Sequence, residues 1–494
     1  MNFINNGKQY PVFSRQQIQN LESNAIEQHG FKSYDLMQRA GKAAFMFIRE
    51  HYPEAKRILV IAGGGNNAGD GYILARLLHN ADMECYTMPA VPITKLRGDA
   101  MRAQNDYAIH DGLDIDSSED LPECDLIVDA LFGTGLTRPI ENELADIVHA
   151  INRTPVPVLS LDIPSGLSAD TGNPMGPTVY ANNTLTFIGL KSGLITGESR
   201  NYTGKVGVDA LDLPNSIIDN AEKLGMSLSE AMPAQLLPAR KQSGYKNMFG
   251  HVLVVGGNIG YPNAARLAGE AAARTGAGLV SIACHPDNVA AVASGCGSLI
   301  VKGIDQPRDL GELLKKADVI LIGPGLGQDK WAQKIFARVI EINKPLVVDA
   351  DALRLLSNNS SKCDHWILTP HPGEAAQLLA CNTEEIQLHR VSSALAIQEQ
   401  YCGIAVLKGS GTLTCHEQHI YFNTSGNVSL ATGGSGDVLA GVISSLVAQG
   451  ISLNDAANCG VMLHGLASEM VSKQGTRGVL AEDLFPAIYK LVNQ

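Results

Sequence analysis

The sequence predicts an α/β protein of two domains, each a parallel sheet wound with helices. Three observations carry this. The chain has 494 residues, more than one hydrophobic core usually serves. From residue 57, short β-branched runs ending in Gly or Asp alternate with longer segments of helical spacing. At residue 251 a second such series begins. With 45% apolar and 18% charged residues, 50 Gly and only 5% aromatics, the chain reads as globular, rich in tight turns and small-residue packing.

Residues 14 to 51 come first: Ile18, Leu21, Ile26, Leu36, Met37, Ala40 and Phe47 recur at helical spacings, so a helical lead-in is expected. The clearest strands of the first series are RILVIAG, CDLIVDALFG and PVPVLSLDIPSG. Residues 212 to 247, with Pro214, Pro233, Pro238 and a short basic cluster, read as an interdomain connection. That places the boundary near residue 225 and the domains at 1 to 224 and 225 to 494. The second series runs through HVLVVGG, LVSIAC, ADVILIGPG, KPLVVDAD, HWILTPH and GIAVLKGSG.

The formal net charge of −12 argues against an extended phosphate-backbone footprint and leaves room for a local pocket around one small phosphorylated ligand, so no nucleic-acid partner is expected. Nine cysteines without a CxxC pair or a metal-ligand spacing fit a reducing compartment. The opening MNFINNGKQYPVFSRQQ lacks the apolar core of a signal peptide, and no stretch reaches the roughly 20 apolar residues of a membrane span. A cytoplasmic protein without a membrane partner is the expectation.

In the first half, the strand ending at Ala62 runs into GGGNNAGDGYILARLL, a glycine-rich turn that opens a helix. Glycines let the backbone approach an anion, free amides at the helix start donate to it, and the helix dipole favours its charge, so a nucleotide pyrophosphate fits. The strict GxGxxG pattern and a Walker lysine are both missing, and a tight turn without a ligand is the competing reading. Asn66, Asn67 and Asp70 add oxygens suited to a hard cation and hydrogen bonds for ribose or phosphate. Asp129 in VDALFGTGLTRP and Asp162 in LDIPSGLSADTG stand at two further strand ends, where a doubly wound sheet places its ligands, although each alone also suits a helix cap or turn. Lys191, after the apolar run TLTFIGL, reads as a solvated strand-end residue that could assist by charge.

In the second half the strongest signal is NVSLATGGSGDVLAGVISSLVAQG, residues 427 to 450. The amides of Gly434, Ser435 and Gly436 can form a nest for charge building on a transferring phosphoryl group, and Asp437 can take a proton from the attacking hydroxyl. This resembles the arrangement in ribokinase-like enzymes; an Asp capping a helix after a glycine turn has the same geometry. Nearby blocks add chemistry: KGSGT at 408 to 412 suits nucleotide phosphates, TPHPGE at 369 to 374 puts His371 and Glu374 at a strand end, and GPGLG at 323 to 327 lets backbone approach a ligand.

Together, NNAGD, DALFGTGL and DIPSG in the first half and the four blocks of the second resemble the bifunctional NAD(P)H-hydrate repair enzymes, over nearly all of residues 14 to 494. The resemblance implies an N-terminal hydrate epimerase domain of Rossmann-like three-layer fold, followed by a C-terminal ribokinase-like α/β domain acting as a nucleotide-dependent dehydratase. It implies that Asn66, Asn67, Ala68, Gly69 and Asp70, with Gly133, Thr134, Gly135, Leu136, Thr137, Arg138 and Pro139, hold the hydrated dinucleotide, and that Asp162 touches it. Asn67, Asp129 and Ser165 would ligate potassium (K+). Lys408, Gly409, Ser410, Gly411 and Thr412 would bind the nucleotide phosphates, Gly436 the nucleotide, and Ala265, Gly325, His371 and Asp437 the hydrated substrate. His371 also reads as a hydrogen-bonded strand-end residue. ADP is the expected co-substrate, because the epimerase-first fusion resembles the bacterial arrangement; eukaryotic members use ATP. The family also suggests a homo-oligomer.

The implied substrates are NADHX and NADPHX, hydrated at C6 beside the ring nitrogen. That carbon is a hemiaminal, so its inversion, by loss and return of water or by ring opening, needs a proton donor and acceptor, for which Asp162 is the expected group. The second domain would phosphorylate the C6 hydroxyl of the S epimer, with Asp437 as base and Mg2+ bridging the phosphates, then eliminate phosphate. Two rival readings stand: a ribokinase-like kinase for a vitamin precursor, which does not predict the first half, and a first domain that only senses a dinucleotide.

Overall fold

The computed structural model describes residues 3–110, 112–115, 121–359 and 361–494. The chain divides into two compact units, Met1–Met226 and Ser227–Gln494. In the first, the helical lead-in forms as Arg15–His29 and Ser33–His51. Ser14 starts it with a reciprocal cap: its hydroxyl accepts from the Gln17 amide at 3.2 Å, and the Gln17 side chain accepts from the Ser14 amide at 2.9 Å.

The sheet of this unit runs in the order Leu113–Asp114, Glu84–Pro89, Arg57–Ala62, Leu126–Ala130, Val158–Leu161, Asn183–Phe187, Lys205–Asp209, with every pair parallel. Strand side chains alternate between faces. Ile58, Val60 and Ala62 join the core under Ser33–His51 and Asn66–His79, whereas Leu59 and Ile61 join the core of Glu143–Arg153. Both faces are therefore covered, which is the three-layer Rossmann-like arrangement and the reason the central strands read as unbroken apolar runs. The strand order reverses between Arg57–Ala62 and Leu126–Ala130, and such a reversal opens a crevice beyond the strands' carboxyl ends.

Residues 212 to 247 are more structured than a connection needs to be, with short helices at Asn215–Asn220 and Met232–Leu236 and a strand at Gly225–Ser227. Pro11–Phe13 pairs antiparallel with that strand and parallel with Leu190–Lys191, bringing Phe13 opposite Lys191.

In the second unit the parallel strands lie in the order Ile300–Gly303, Leu279–Cys284, His251–Val255, Val319–Ile322, Leu346–Val348, Trp366–Leu368, Ile404–Leu407. The antiparallel strands Leu413–His416 and His419–Phe422 follow. Val252 and Val254 share a core with the helices Pro262–Thr275 and Ser435–Ala448, and Leu253 and Val255 are fully buried as well. Here too the order reverses, between His251–Val255 and Val319–Ile322. No helix among the described residues is long and apolar enough to cross a membrane.

Candidate active sites

A cavity of about 970 Å³ opens at the reversal of the first sheet. Of the residues expected to hold a dinucleotide, Asn66, Asn67, Asp70, Gly133, Thr134, Gly135, Leu136, Arg138 and Pro139 line it. Ala68 and Gly69 do not: on the helix Asn66–His79 they turn into the protein, Gly69 against Met37 and Ala100. Thr137 is exposed and lies outside the lining.

One corner gathers oxygen atoms. The carboxylate of Asp129, fully buried, accepts from the Ser165 hydroxyl at 2.6 Å, the Ser165 amide at 2.9 Å, the Ser160 hydroxyl at 2.8 Å and the Leu131 amide at 3.3 Å. Burial raises this carboxyl above its ordinary range, and the four donors oppose that. The Asn67 side-chain NH2 donates to the Leu161 carbonyl at 3.1 Å, which leaves its Oδ1 buried with no hydrogen-bond partner. An orphaned buried carbonyl costs about 1–3 kcal/mol, and a hard cation would satisfy it. Asn67, Asp129 and Ser165 thus fit a monovalent cation by their donor chemistry.

Asp162 stands beside this corner at a positive φ of 66°, which turns its side chain from the strand end into the cavity. Its Oδ2 accepts from the Thr134 amide at 3.3 Å, tying it to the FGTG loop. Its Oδ1 accepts from the Lys191 ammonium, which also donates to Thr186 Oγ1 and the Phe187 carbonyl, each at 2.8 Å. The expectation of a solvated Lys191 is therefore corrected: the residue is 1% exposed. After Phe187 the chain turns at Ile188 and forms the short strand Leu190–Lys191 against Pro11–Phe13, which draws the lysine inward. Asp70 and Glu22 also line the cavity. Burial pushes the Asp70 carboxyl well above the carboxylate range, with Asp162 and Glu22 adding to the shift.

In the second unit, strand ends again gather the polar groups. Lys408 follows Ile404–Leu407, Asp349 follows Leu346–Val348, and His371 caps the helix Pro372–Leu378. Lys408 Nζ lies 2.8 Å from Asp349 and 3.8 Å from Glu374. A Cβ on Gly436 would stand 3.2 Å from the same nitrogen, so the glycine turn passes over the lysine. Asp437 follows in the first turn of Ser435–Ala448, after Gly434 at φ 86°, a conformation that excludes a side chain there at low cost. Burial pushes the Asp437 carboxyl up to about 8, with Asp349 adding and Lys408 opposing. Burial likewise takes Glu374 to about 7 against the pull of Lys408.

His371 Nδ1 accepts from the Gly373 and Glu374 amides at 3.0 and 3.2 Å, which leaves Nε2 as its outward nitrogen, 3.4 Å from Glu374. Burial holds its pKa below the ordinary histidine range. Gly325 lies against Tyr261 and Ala264 in a loop held to Gly257 and Asn258 by backbone bonds of 3.0 and 2.7 Å. Ala265 is 0% exposed under Gly257, so its own side chain meets core and not solvent.

Comparison with known proteins follows the same division. Residues 33–193 match the family model of the YjeF-related protein N-terminus, and residues 252–490 that of NAD(P)H-hydrate dehydratase. The bifunctional NAD(P)H-hydrate repair enzyme Nnr of Coxiella burnetii is 41% identical over 98% of this chain and 99% of its own length. Its counterpart in Escherichia coli is 39% identical over 98% and 94%. The chain belongs to the bifunctional NAD(P)H-hydrate repair enzyme family. Among solved structures, a ribokinase-like superfamily protein from Enterococcus faecalis covers 54% of this chain and 95% of its own at 30% identity and TM-score 0.51. A hypothetical protein from Streptococcus mutans covers 54% of this chain and 98% of its own at 31% identity and TM-score 0.50.

The fold also brings into the candidate sites groups that carry little or no signal in the local sequence. Glu22 reaches the first cavity from the lead-in helix, and Asp349 had a legible signal in its place after an apolar strand. Arg390 and His464 had none. Arg390, 3% exposed, donates to the carbonyls of Leu407, Lys408 and Gly411 at 3.3, 3.3 and 3.4 Å and holds the KGSGT loop from beneath. Burial brings its pKa down to about 10. His464 meets the Ser435 hydroxyl at 3.2 Å and, pushed down to about 4 by burial, is neutral.

Proposed function

We propose that the first unit interconverts the R and S epimers of NADHX and NADPHX, and that the second dehydrates the S epimer to NADH or NADPH with ADP as phosphoryl donor. The observation that carries this reading is the pairing of Asp437 with the glycine turn above Lys408. Asp437 stands in the first turn of Ser435–Ala448, just after that glycine turn, where it can take a proton from a hydroxyl attacking a phosphoryl group held by the turn's amides. The amides of Gly434, Ser435 and Gly436 would stabilise the charge on the transferring phosphoryl group. The C6 oxygen attacks the terminal phosphorus of ADP, the bond from that phosphorus to the bridging oxygen breaks, and AMP leaves. Loss of the C6 phosphate with a proton from C5 then restores the double bond. Hydroxide leaves poorly; phosphate leaves well.

The KGSGT loop, Lys408 to Thr412, is the reading's phosphate site, and Gly325, His371 and Ala265 its substrate wall, Ala265 through the backbone it supports. Magnesium takes one or two carboxylates and completes its shell with phosphate oxygens, and Asp349 and Glu374 are the carboxylates that fit it. When bound it would neutralise the phosphates. In the first unit, Asn67, Asp129 and Ser165 would hold potassium, which would fix the NNAGD and FGTG loops and offset pyrophosphate charge. Asp162, held by Lys191 and Thr134, would orient the C6 hydroxyl. The cytoplasm, where nine thiols stay reduced, is the proposed setting.

The test is recovery of 340 nm absorbance from an equimolar mixture of both NADHX epimers with protein, magnesium, potassium and either ADP or ATP. Complete fast recovery with ADP is the expected result. Recovery that halts near half removes the epimerase assignment, faster recovery with ATP reverses the donor, and none with either nucleotide returns the second unit to the vitamin-precursor kinases.

A further inference from the structure

The epimerase reading needs a proton carrier, and Asp162 is heavily engaged. Its Oδ1 takes the Lys191 ammonium and its Oδ2 the Thr134 amide, with Thr186 Oγ1 and the Phe187 amide near Oδ1 at 3.3 and 3.4 Å. Such a group is placed to bind and orient. Another carboxyl enters the same cavity from the opposite kind of element. Glu22 lies one helical turn after Ile18 on Arg15–His29; Ile18 and Leu21 are buried, and Ile18, Gln19, Glu22 and Ser23 border the cavity. The reciprocal Ser14–Gln17 cap and the packed residues fix the rotation of this helix, so Glu22 is aimed and not incidental. Among the described residues its side chain has neither a hydrogen bond nor an ion pair.

We propose that Glu22 is the proton donor and acceptor at the C6 hydroxyl in the epimerase reaction, with Asp162 as the orienting group. The inference rests on the epimerase reading of this unit. The protonated Glu22 gives its proton to the C6 oxygen, the C6–O bond breaks, water leaves, and the N1 lone pair forms the C6=N1 bond. Water then adds to the other face, its proton passes to the Glu22 carboxylate, and the π pair returns to N1, so atoms and charge balance over the cycle. Burial raises the Glu22 carboxyl above its ordinary range; Asp162 and Asp99 add to this, Lys191 opposes it, and Asp70 faces the same space. A carboxyl so raised can hold a proton closer to neutral pH, the condition for working in both directions.

The measurement is conversion of the pure R epimer to S by the full chain without nucleotide, followed by chromatography across pH 5 to 9, for the unmodified protein, Glu22→Gln and Glu22→Asp. We expect Glu22→Gln to lower kcat by roughly 10²–10⁴-fold with KM near its original value and the carboxyl limb of the pH profile gone. Glu22→Asp should keep the limb and part of the rate, and both variants should melt with the unmodified protein. A Glu22→Gln protein that exchanges epimers within threefold of the original overturns the proposal, as does a loss carried by KM alone or a Glu22→Asp protein with no pH limb. If the unmodified protein itself does not exceed the spontaneous rate, the epimerase reading falls first and the proposal with it.

Discussion

Each unit brings one lysine to the ends of its parallel strands, and the two lysines are held differently. Lys191 spends its donors on one carboxylate and two neutral oxygens: Asp162, Thr186 and Phe187. Lys408 has a close partner in Asp349 at 2.8 Å and a looser one in Glu374 at 3.8 Å, and Asp437 also feels its charge. A lysine matched to one carboxylate fixes that carboxylate. Around Lys408, burial takes Glu374 to about 7 and Asp437 to about 8, with Asp349 adding to both shifts and the lysine opposing them. Lys191 thus holds the group proposed to orient in the first site, and Lys408 stands beside the group proposed to take the proton in the second.

The largest test of this contrast is Asp437→Asn. It should lower dehydration of the S epimer by roughly 10²–10⁴-fold, read at 340 nm with saturating nucleotide, and leave epimer exchange unchanged. A loss below tenfold would mean that the proton moves elsewhere. Lys191→Met tests the other half. It leaves Asp162 without its charged partner, and breaking a buried pair typically costs about 3–5 kcal/mol, so the first unit should melt earlier and exchange slow sharply. Unchanged melting would show that Asp162 can turn to water, and that Lys191 does not set its position.

The fold was legible because the apolar runs are long and the glycine turns sit where chain direction must change. The strands at Arg57–Ala62 and His251–Val255, the two starts of the α/β pattern, needed nothing beyond local sequence. The candidate sites are legible only where a loop carries its own chemistry, as NNAGD and GSGD do. The burial of Lys191 is not legible locally because it depends on Pro11–Phe13, nearly 180 residues away in sequence, and no local signal reports that pairing. Ala68 and Gly69 belong to a readable block, but helix rotation, set by packing on Met37, turns them from the cavity. Glu22 looks like any polar residue on an amphipathic helix until the sheet beneath it is known.

His464 sharpens the comparison through pH. A histidine in the unfolded chain binds a proton near 6.5. In the fold, burial lowers this one to about 4 while it stays in contact with Ser435. Between those values the unfolded state holds the extra proton, so stability present at pH 7 is lost as pH falls. For this group alone the loss from pH 7 to 5 is roughly 2 kcal/mol. His464→Gln should remove that part of the acid slope in denaturant midpoints measured at both pH values. An unaltered slope would mean that the ring is solvated as it titrates.

The smallest effect concerns how the KGSGT loop, the proposed phosphate site, is held. Gly409 lies at φ 131° beside the Arg390 guanidinium, and the loop's carbonyls at Leu407, Lys408 and Gly411 turn inward to that group. With those carbonyls drawn under the loop, its outer face is left to amides and to Ser410 and Thr412, as a phosphate site needs. Arg390→Lys keeps the charge but not the planar fork that can serve several acceptors at once. KM for the nucleotide should rise about tenfold with kcat nearly kept, because one or two charged hydrogen bonds are lost from positioning and none from the reacting atoms. If kcat falls instead while KM holds, the fork acts on Lys408 and its carboxylates, and the loop would belong with the proton-moving half of the site.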